Sequence, residues 1–223
     1  MSSSTQGLPA GGYIATECPP KTLSRETKTL ISGQNLGAGT VLGAITIGAV
    51  TAAAKGGGNT GNGTCTPDAT TPALAKAQVG IYTARCIVAG TNSATFRVTD
   101  PNGNVLGDAN FSGSGASLAF ANQIKFAITD GGTDFIVGDG FDITVAAGSG
   151  KVTQLAPAAL DGSQNAVGIL FYPTDARSGD KPAVITSRLT EVISSEITWP
   201  AGITAPQQAV ATAQLAALAI LLR

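Results

Sequence analysis

The side chains best suited to chemistry in this chain are carboxylates. Asp130 and Asp134 flank Gly-Gly-Thr, and Asp139 and Asp142 follow closely. Carboxylates at that density offer the hard oxygen ligands a calcium ion takes. The same residues stand in Asp-Gly-Gly and Gly-Asp-Gly contexts, where an aspartate accepts hydrogen bonds from nearby backbone amides and builds a tight turn. Turn formation is the first reading, and a weak calcium site at Asp130, Asp134, Asp139 and Asp142 the second. Asp100-Pro-Asn102-Gly-Asn104 has the alternation of an EF-hand start, but its glycine falls at the fourth loop position and no glutamate stands at the twelfth.

Other chemistries lack their parts. Histidine is absent, which removes the commonest general base and the Ser-His and Cys-His nucleophile pairs. No P-loop, Gly-x-Ser-x-Gly or dinucleotide fingerprint occurs. The expectation is a protein that is not an enzyme and carries no cofactor. Cys18, Cys65 and Cys86 have no Cys-x-x-Cys spacing and cannot all pair within one chain. Free thiols are expected, with a Cys65–Cys86 bridge as the alternative in mature extracellular material. The net charge of −1, without a basic cluster, argues against a nucleic-acid partner. Met1 to Gly12 has no apolar run, and the long apolar stretch Ala209 to Leu222 is broken by Thr212 and Gln214. That stretch is too short to span a bilayer. The reading is therefore a soluble protein without an encoded export route or a membrane partner. Trp199, the single tryptophan, precedes Pro200. It fits either a plug at the end of a core or an anchor at a subunit interface.

These residues must be positioned by strands. The chain is 43% hydrophobic but only 5% aromatic and 12% charged, with 29 Gly and 11 Pro. That palette suits short strands joined by many turns. Residues 1–11 read as a flexible polar lead. Tyr13 to Thr16, Thr27 to Ile31 and Thr40 to Val50 read as strands. Lys55 to Thr71 is rich in Gly, Asn and Thr and reads as a flexible connector. Beyond it, Gly80 to Val88, Ala94 to Thr99, Val105 to Phe111, Gln123 to Thr129 and Phe141 to Val145 alternate as the strands of a small β-sandwich. Residues 57–148 carry seven acidic and four basic side chains, against seven acidic and nine basic in the remainder. An inserted module at 57–148, splitting an outer unit at 12–56 and 149–223, accounts for this pattern. Lys151 to Leu155, Val167 to Phe171, Ala183 to Leu189 and Glu191 to Ile193 read as further strands. Thr204, Pro206 and Gln207 then open a helix through a capping box. The spacing predicts that Ala211, Leu215 and Leu218 are buried, with Ala219 to Leu222 leaving the helix as a terminal strand.

Several segments of the outer unit together resemble the phage lambda-type head decoration proteins. They are Ser24-Arg-Glu-Thr-Lys28, Gly33 to Gly43, Asp161 to Leu170, Arg188 to Val192 and Trp199-Pro-Ala-Gly-Ile203 with the Ala-rich helix. The resemblance covers roughly 12–55 and 150–223. It implies a mainly β, β-tulip-like fold with one C-terminal helix, to which residues 57–148 add an inserted β-sandwich-like domain. It also implies a homotrimer on the exterior of a tailed-phage capsid, made in the host cytoplasm, that binds the major capsid protein and holds the expanded shell against packaged DNA. An N-terminal arm, here about Gly12 to Ile31, would order on the shell and add a strand to it. Tyr13, Ile14, Ala15, Thr16, Arg25, Thr27 and Thr29 are the expected contacts. The insert is expected to project outward. A phage adhesion or carbohydrate-binding protein, or a tail-associated β-protein, is the alternative.

Overall fold

The computed structural model describes residues 7–223. The flexible lead expected over 1–11 therefore lies partly outside the described residues. The chain opens with β1 (Ile14–Glu17), β2 (Arg25–Leu30), β3 (Asn35–Leu36) and β4 (Val41–Ala44). Turns at Gly33 and Gly39, both at positive φ, separate the last three. At Gly39 the conformation is compulsory, because a Cβ would stand 2.6 Å from the Glu196 carbonyl oxygen. The strand expected over Thr40 to Val50 is broken. Ile45 and Thr46 turn their amides to the carbonyls of Lys151 and Asp161, and the next strand starts only at Ile47.

There the chain enters a second compact unit, residues 47–148, rather than at 57. Its strands are β5 (Ile47–Ala54), β6 (Thr64–Pro67), β7 (Gly80–Gly90), β8 (Ser93–Thr99), β9 (Val105–Ser112), β10 (Ser117–Ala121), β11 (Lys125–Thr129) and β12 (Gly140–Ala147). They form a five-stranded antiparallel sheet, β5-β12-β7-β8-β9, and a three-stranded one, β10-β11-β6. Alternate residues point into one shared core, as period-two patterning requires. Tyr82 and the six phenylalanines 96, 111, 120, 126, 135 and 141 are all buried in it. Phe96 meets Phe135 edge to face at 5.1 Å. The glycine-rich stretch 55–71 is not a free connector. It contains β6, and Asp139 holds its Thr60 and Gly61 amides.

The first unit resumes at Ser149 with β13 (Val152–Gln154), β14 (Ala166–Leu170), β15 (Thr174–Asp175), β16 (Lys181–Thr186) and β17 (Thr190–Val192). A 3₁₀ turn, α1 (Ala205–Ala217) and β18 (Ile220–Leu222) complete the chain. A barrel of β13-β2-β16-β14-β4 encloses Leu30, Leu42, Val152, Leu170, Ala183 and Ile185. A three-stranded sheet, β1-β17-β18, packs with α1 around Tyr13, Ile169, Val192, Leu215 and Ile220. β17 and β18 are parallel, so a crossover must join them, and α1 is that crossover. Thr204 and Gln207 form the reciprocal capping box with Pro206 in the first turn. Ala211 and Leu215 are buried as expected, but Leu218 is 37% exposed. The helix stops before it, and Ala219 at φ +59 reverses the chain into β18. Overall the protein is mainly β, with a single α-helix at the C-terminal end.

Candidate functional site

In the first unit β1 and β2 each leave a backbone edge without a strand partner. β1 pairs with β17 alone and forms the edge of its sheet. β2 pairs along its whole length with β16, but it meets β13 only at Leu30, opposite Val152. From Arg25 to Thr29 its other edge has no strand partner. Thr27, Lys28 and Thr29 are all exposed there. Unpaired edges are templates for added strands.

A groove of about 600 Å³ runs beside β1, lined by Ile14, Ala15, Thr16, Lys21, Arg25 and Tyr172 among others. Its electrostatics are set by one pair. Arg25 Nε donates to Glu17 Oε1 at 2.6 Å and Nη2 to Oε2 at 2.5 Å. Ser24 Oγ donates to the same carboxylate at 2.5 Å. The Arg25 hydrogen bonds hold Glu17 below the usual carboxylate range, against the opposing effect of burial. The Arg25 guanidinium also lies 3.9 Å from the centre of the Phe171 ring.

The expected contact residues thus divide. Ile14, Ala15 and Thr16 lie on the β1 edge, and Arg25, Thr27 and Thr29 on the β2 edge. Tyr13 belongs to neither. It is fully buried, and its hydroxyl lies 2.6 Å from Thr186 Oγ1. Burial raises its pKa well above the ordinary tyrosine value. The segment is consequently no free arm: Tyr13 anchors it in the core and β2 is a barrel strand. Trp199 is half-buried against the same core, and Pro200 beside it is also half-buried.

The four carboxylates proposed for calcium are used separately. Asp139 accepts from the amides of Thr60, Gly61 and Ile136. Burial works to raise its pKa, but those three donors outweigh it and hold the carboxyl low. Asp134 accepts from Asn92 N at 2.8 Å, and Asp142 is paired with Arg85. Asp130 is buried, with Oδ2 unpartnered. Among the described residues no group of three or more such side chains is placed to hold a metal ion. The calcium reading is therefore corrected: Asp134, Asp139 and Asp142 each make a separate contact, and Asp130 joins none of them. Asp100 likewise accepts from the amides of Asn102 and Asn104, closing a turn. All three cysteines are free, so the alternative Cys65–Cys86 bridge is not formed.

Two features escape sequence reading. One is the open side of β2, which depends on where a distant strand closes the barrel. The other is Leu189, at φ +51 without a turn residue beside it.

The described residues thus form two β-built units, and the first leaves strand edges open on β1 and β2. The chain belongs to the bacteriophage lambda head decoration protein D family, whose model matches residues 3–220. The family is one of structural phage proteins, so this chain decorates a phage capsid and belongs on the outside of the virion head. No curated protein matches it. Two crystal structures of FlgL from Xanthomonas campestris are similar at 20% and 21% identity, over 51% and 56% of this chain. Both have a TM-score of 0.31, too low to define a common fold, and the chain spans about a third of their length, 33% and 32%.

Proposed function

We propose that the chain binds as a homotrimer to the expanded capsid of a tailed phage and stabilises it against the pressure of packaged DNA. The contact is main-chain strand addition at the open edges of β1 and β2, with the major capsid protein supplying the partner strands. The observation that carries this reading is the unpaired edge from Arg25 to Thr29, exposed at Thr27, Lys28 and Thr29, in the same unit as the edge strand β1. Added strands gain main-chain hydrogen bonds without needing a charged patch, which suits a chain of net charge −1. The β-tulip architecture is part of the same reading for residues up to 46 and 149–223. Residues 47–148 fold around their own core and are taken to face away from the shell. All seven aromatic side chains of that unit are buried, leaving none to stack on a sugar, which favours decoration over a glycan-binding role.

The test is co-sedimentation of the protein with expanded, DNA-free capsids, with a Thr27→Asp/Thr29→Asp variant alongside. Charges on an open edge oppose strand addition and leave the fold untouched because both side chains are exposed. Binding at least tenfold weaker, with an unchanged melting temperature, is expected. Equal binding by the variant overturns the edge assignment. Failure of the unaltered protein to bind capsids overturns the role, and a sedimentation-equilibrium mass other than three chains overturns the trimer.

A further inference from the structure

The sheet β1-β17-β18 exposes an apolar groove of about 380 Å³, lined by Thr16, Cys18, Leu189, Glu191, Ala219 and Leu221 among others. Two of these residues, Leu189 at φ +51 and Ala219 at φ +59, hold left-handed backbone without being glycine. The chain fixes both, because the Cys18 amide donates to the Leu189 carbonyl and the Thr190 amide to that of Ala219. Left-handed backbone is unfavourable for a bulky side chain, and Asn or Gly serves it better. Leu189 is nevertheless 39% exposed, and Leu221 on the same groove is 38% exposed. A strained leucine facing solvent costs stability twice, through its backbone and through its hydration. Strain of this kind, retained at a surface, points to a contact.

The groove is electrically quiet. Glu191 is paired with Arg223 at 2.8 Å, and Glu17 with Arg25. A charged visitor would lose water there without gaining a partner, so the occupant is an apolar side chain. Its source follows from the sheet. Thr16, Glu191 and Leu221 form one row across the three strands. A strand added to the open edge of β1 continues that row. Thr16 and Cys18, both small, line the groove between that edge and Leu189.

We infer that Leu189 is a docking anchor, and that its groove receives an apolar side chain from the capsid segment that pairs with β1. This rests on the strand-addition reading above. The discriminating variant is Leu189→Asn in the full chain, compared with Leu189→Met on the same expanded capsids. Asparagine relieves the backbone strain and removes the apolar contact, whereas methionine keeps the contact. The expected result is an equal or higher melting temperature for Leu189→Asn with capsid affinity at least tenfold weaker, and near-normal affinity for Leu189→Met. Capsid binding by Leu189→Asn equal to that of the unaltered protein overturns the inference and leaves the decoration role standing. Loss of self-association by Leu189→Asn in sedimentation equilibrium also overturns it, since the groove would then join copies of this chain.

Discussion

Glu17 on β1 and Arg25 on β2 meet through two parallel N–H···O bonds, of 2.6 and 2.5 Å, tying the edge strand of one sheet to a strand of the barrel. The Glu17 side chain is only 7% exposed. Glu17→Gln keeps the shape and loses the charge, and a hydrogen bond to a charged group contributes about 2 kcal/mol. A loss of that order in unfolding free energy is expected. The pH dependence has a definite sign. The folded pKa of Glu17 is depressed below its ordinary 4.5, chiefly by Arg25, so its contribution is fully present above that value and fades as pH falls through the lower folded one. Melting curves of the two proteins should differ at neutral pH and converge in acid. A constant gap at all pH values would show that the pair contributes nothing through its charge.

The thiols should react unequally. Burial pushes the Cys65 thiol up to about 12, and Cys86 is raised by burial with a smaller push from Asp139. The thiolate is the reactive form, so both should be inert in the folded protein. Cys18 is half-buried on the surface of the first unit. Titration with a chromogenic disulfide should find one fast thiol per native chain and three after denaturation. Two fast thiols in the native protein would contradict the packing of the second core.

What could be read in the sequence was local. The β8 strand follows from alternation about Phe96 and Val98, and the helix start follows from Thr204, Pro206 and Gln207, whose cap needs nothing outside the first turn. The burial of Tyr82, Phe111, Phe126 and Phe141 follows from the same period of two, whereas Phe135 is buried from a loop between strands. Long-range closure was not legible. The segment 55–63 has a linker's composition, yet its amides donate to the Asp139 carboxylate and the Thr133 carbonyl, and its Asn59 Oδ1 accepts from the Gly140 amide. β10 has only Leu118 and Phe120 among small residues, too weak a pattern to mark a strand. The open edge of β2, which makes Thr27 and Thr29 available, exists because β13 reaches only Leu30.

Asp139 and Asp130 should respond oppositely to loss of charge. Asp139 satisfies three backbone amides. Asp139→Ala leaves these without their acceptor, and a cost of about 3 kcal/mol is expected. Asp130 is buried with Oδ2 unpartnered, so Asp130→Asn forfeits no hydrogen bond made by that oxygen and should leave stability equal or higher. Chemical denaturation of each variant measures this. Calcium added to chelator-treated protein should not shift the melting temperature, because no three such side chains among the described residues converge on one point. A saturable rise abolished by Asp130→Asn would restore the metal reading.

Tyr13 separates folding from capsid contact. It lies among the proposed contact residues in sequence, but its ring fills the core and its hydroxyl reaches Thr186. Tyr13→Ala should cost about 4 kcal/mol, the range for emptying a buried aromatic site. Tyr13→Phe keeps the ring and forfeits one hydrogen bond, a cost of about 1 kcal/mol. Deleting residues 1–26 removes Tyr13, β1 and the Glu17–Arg25 pair together, so that form should unfold rather than remain a soluble non-binder. Circular dichroism of the truncated chain checks this directly. A cooperative melt near that of the full chain would mean that the segment is dispensable to the fold and would return it to the role of a free arm. If the truncated chain unfolds, lost capsid occupancy on deletion reports stability alone. Side-chain replacements at Thr27, Thr29 and Leu189 then become the measurements that bear on binding.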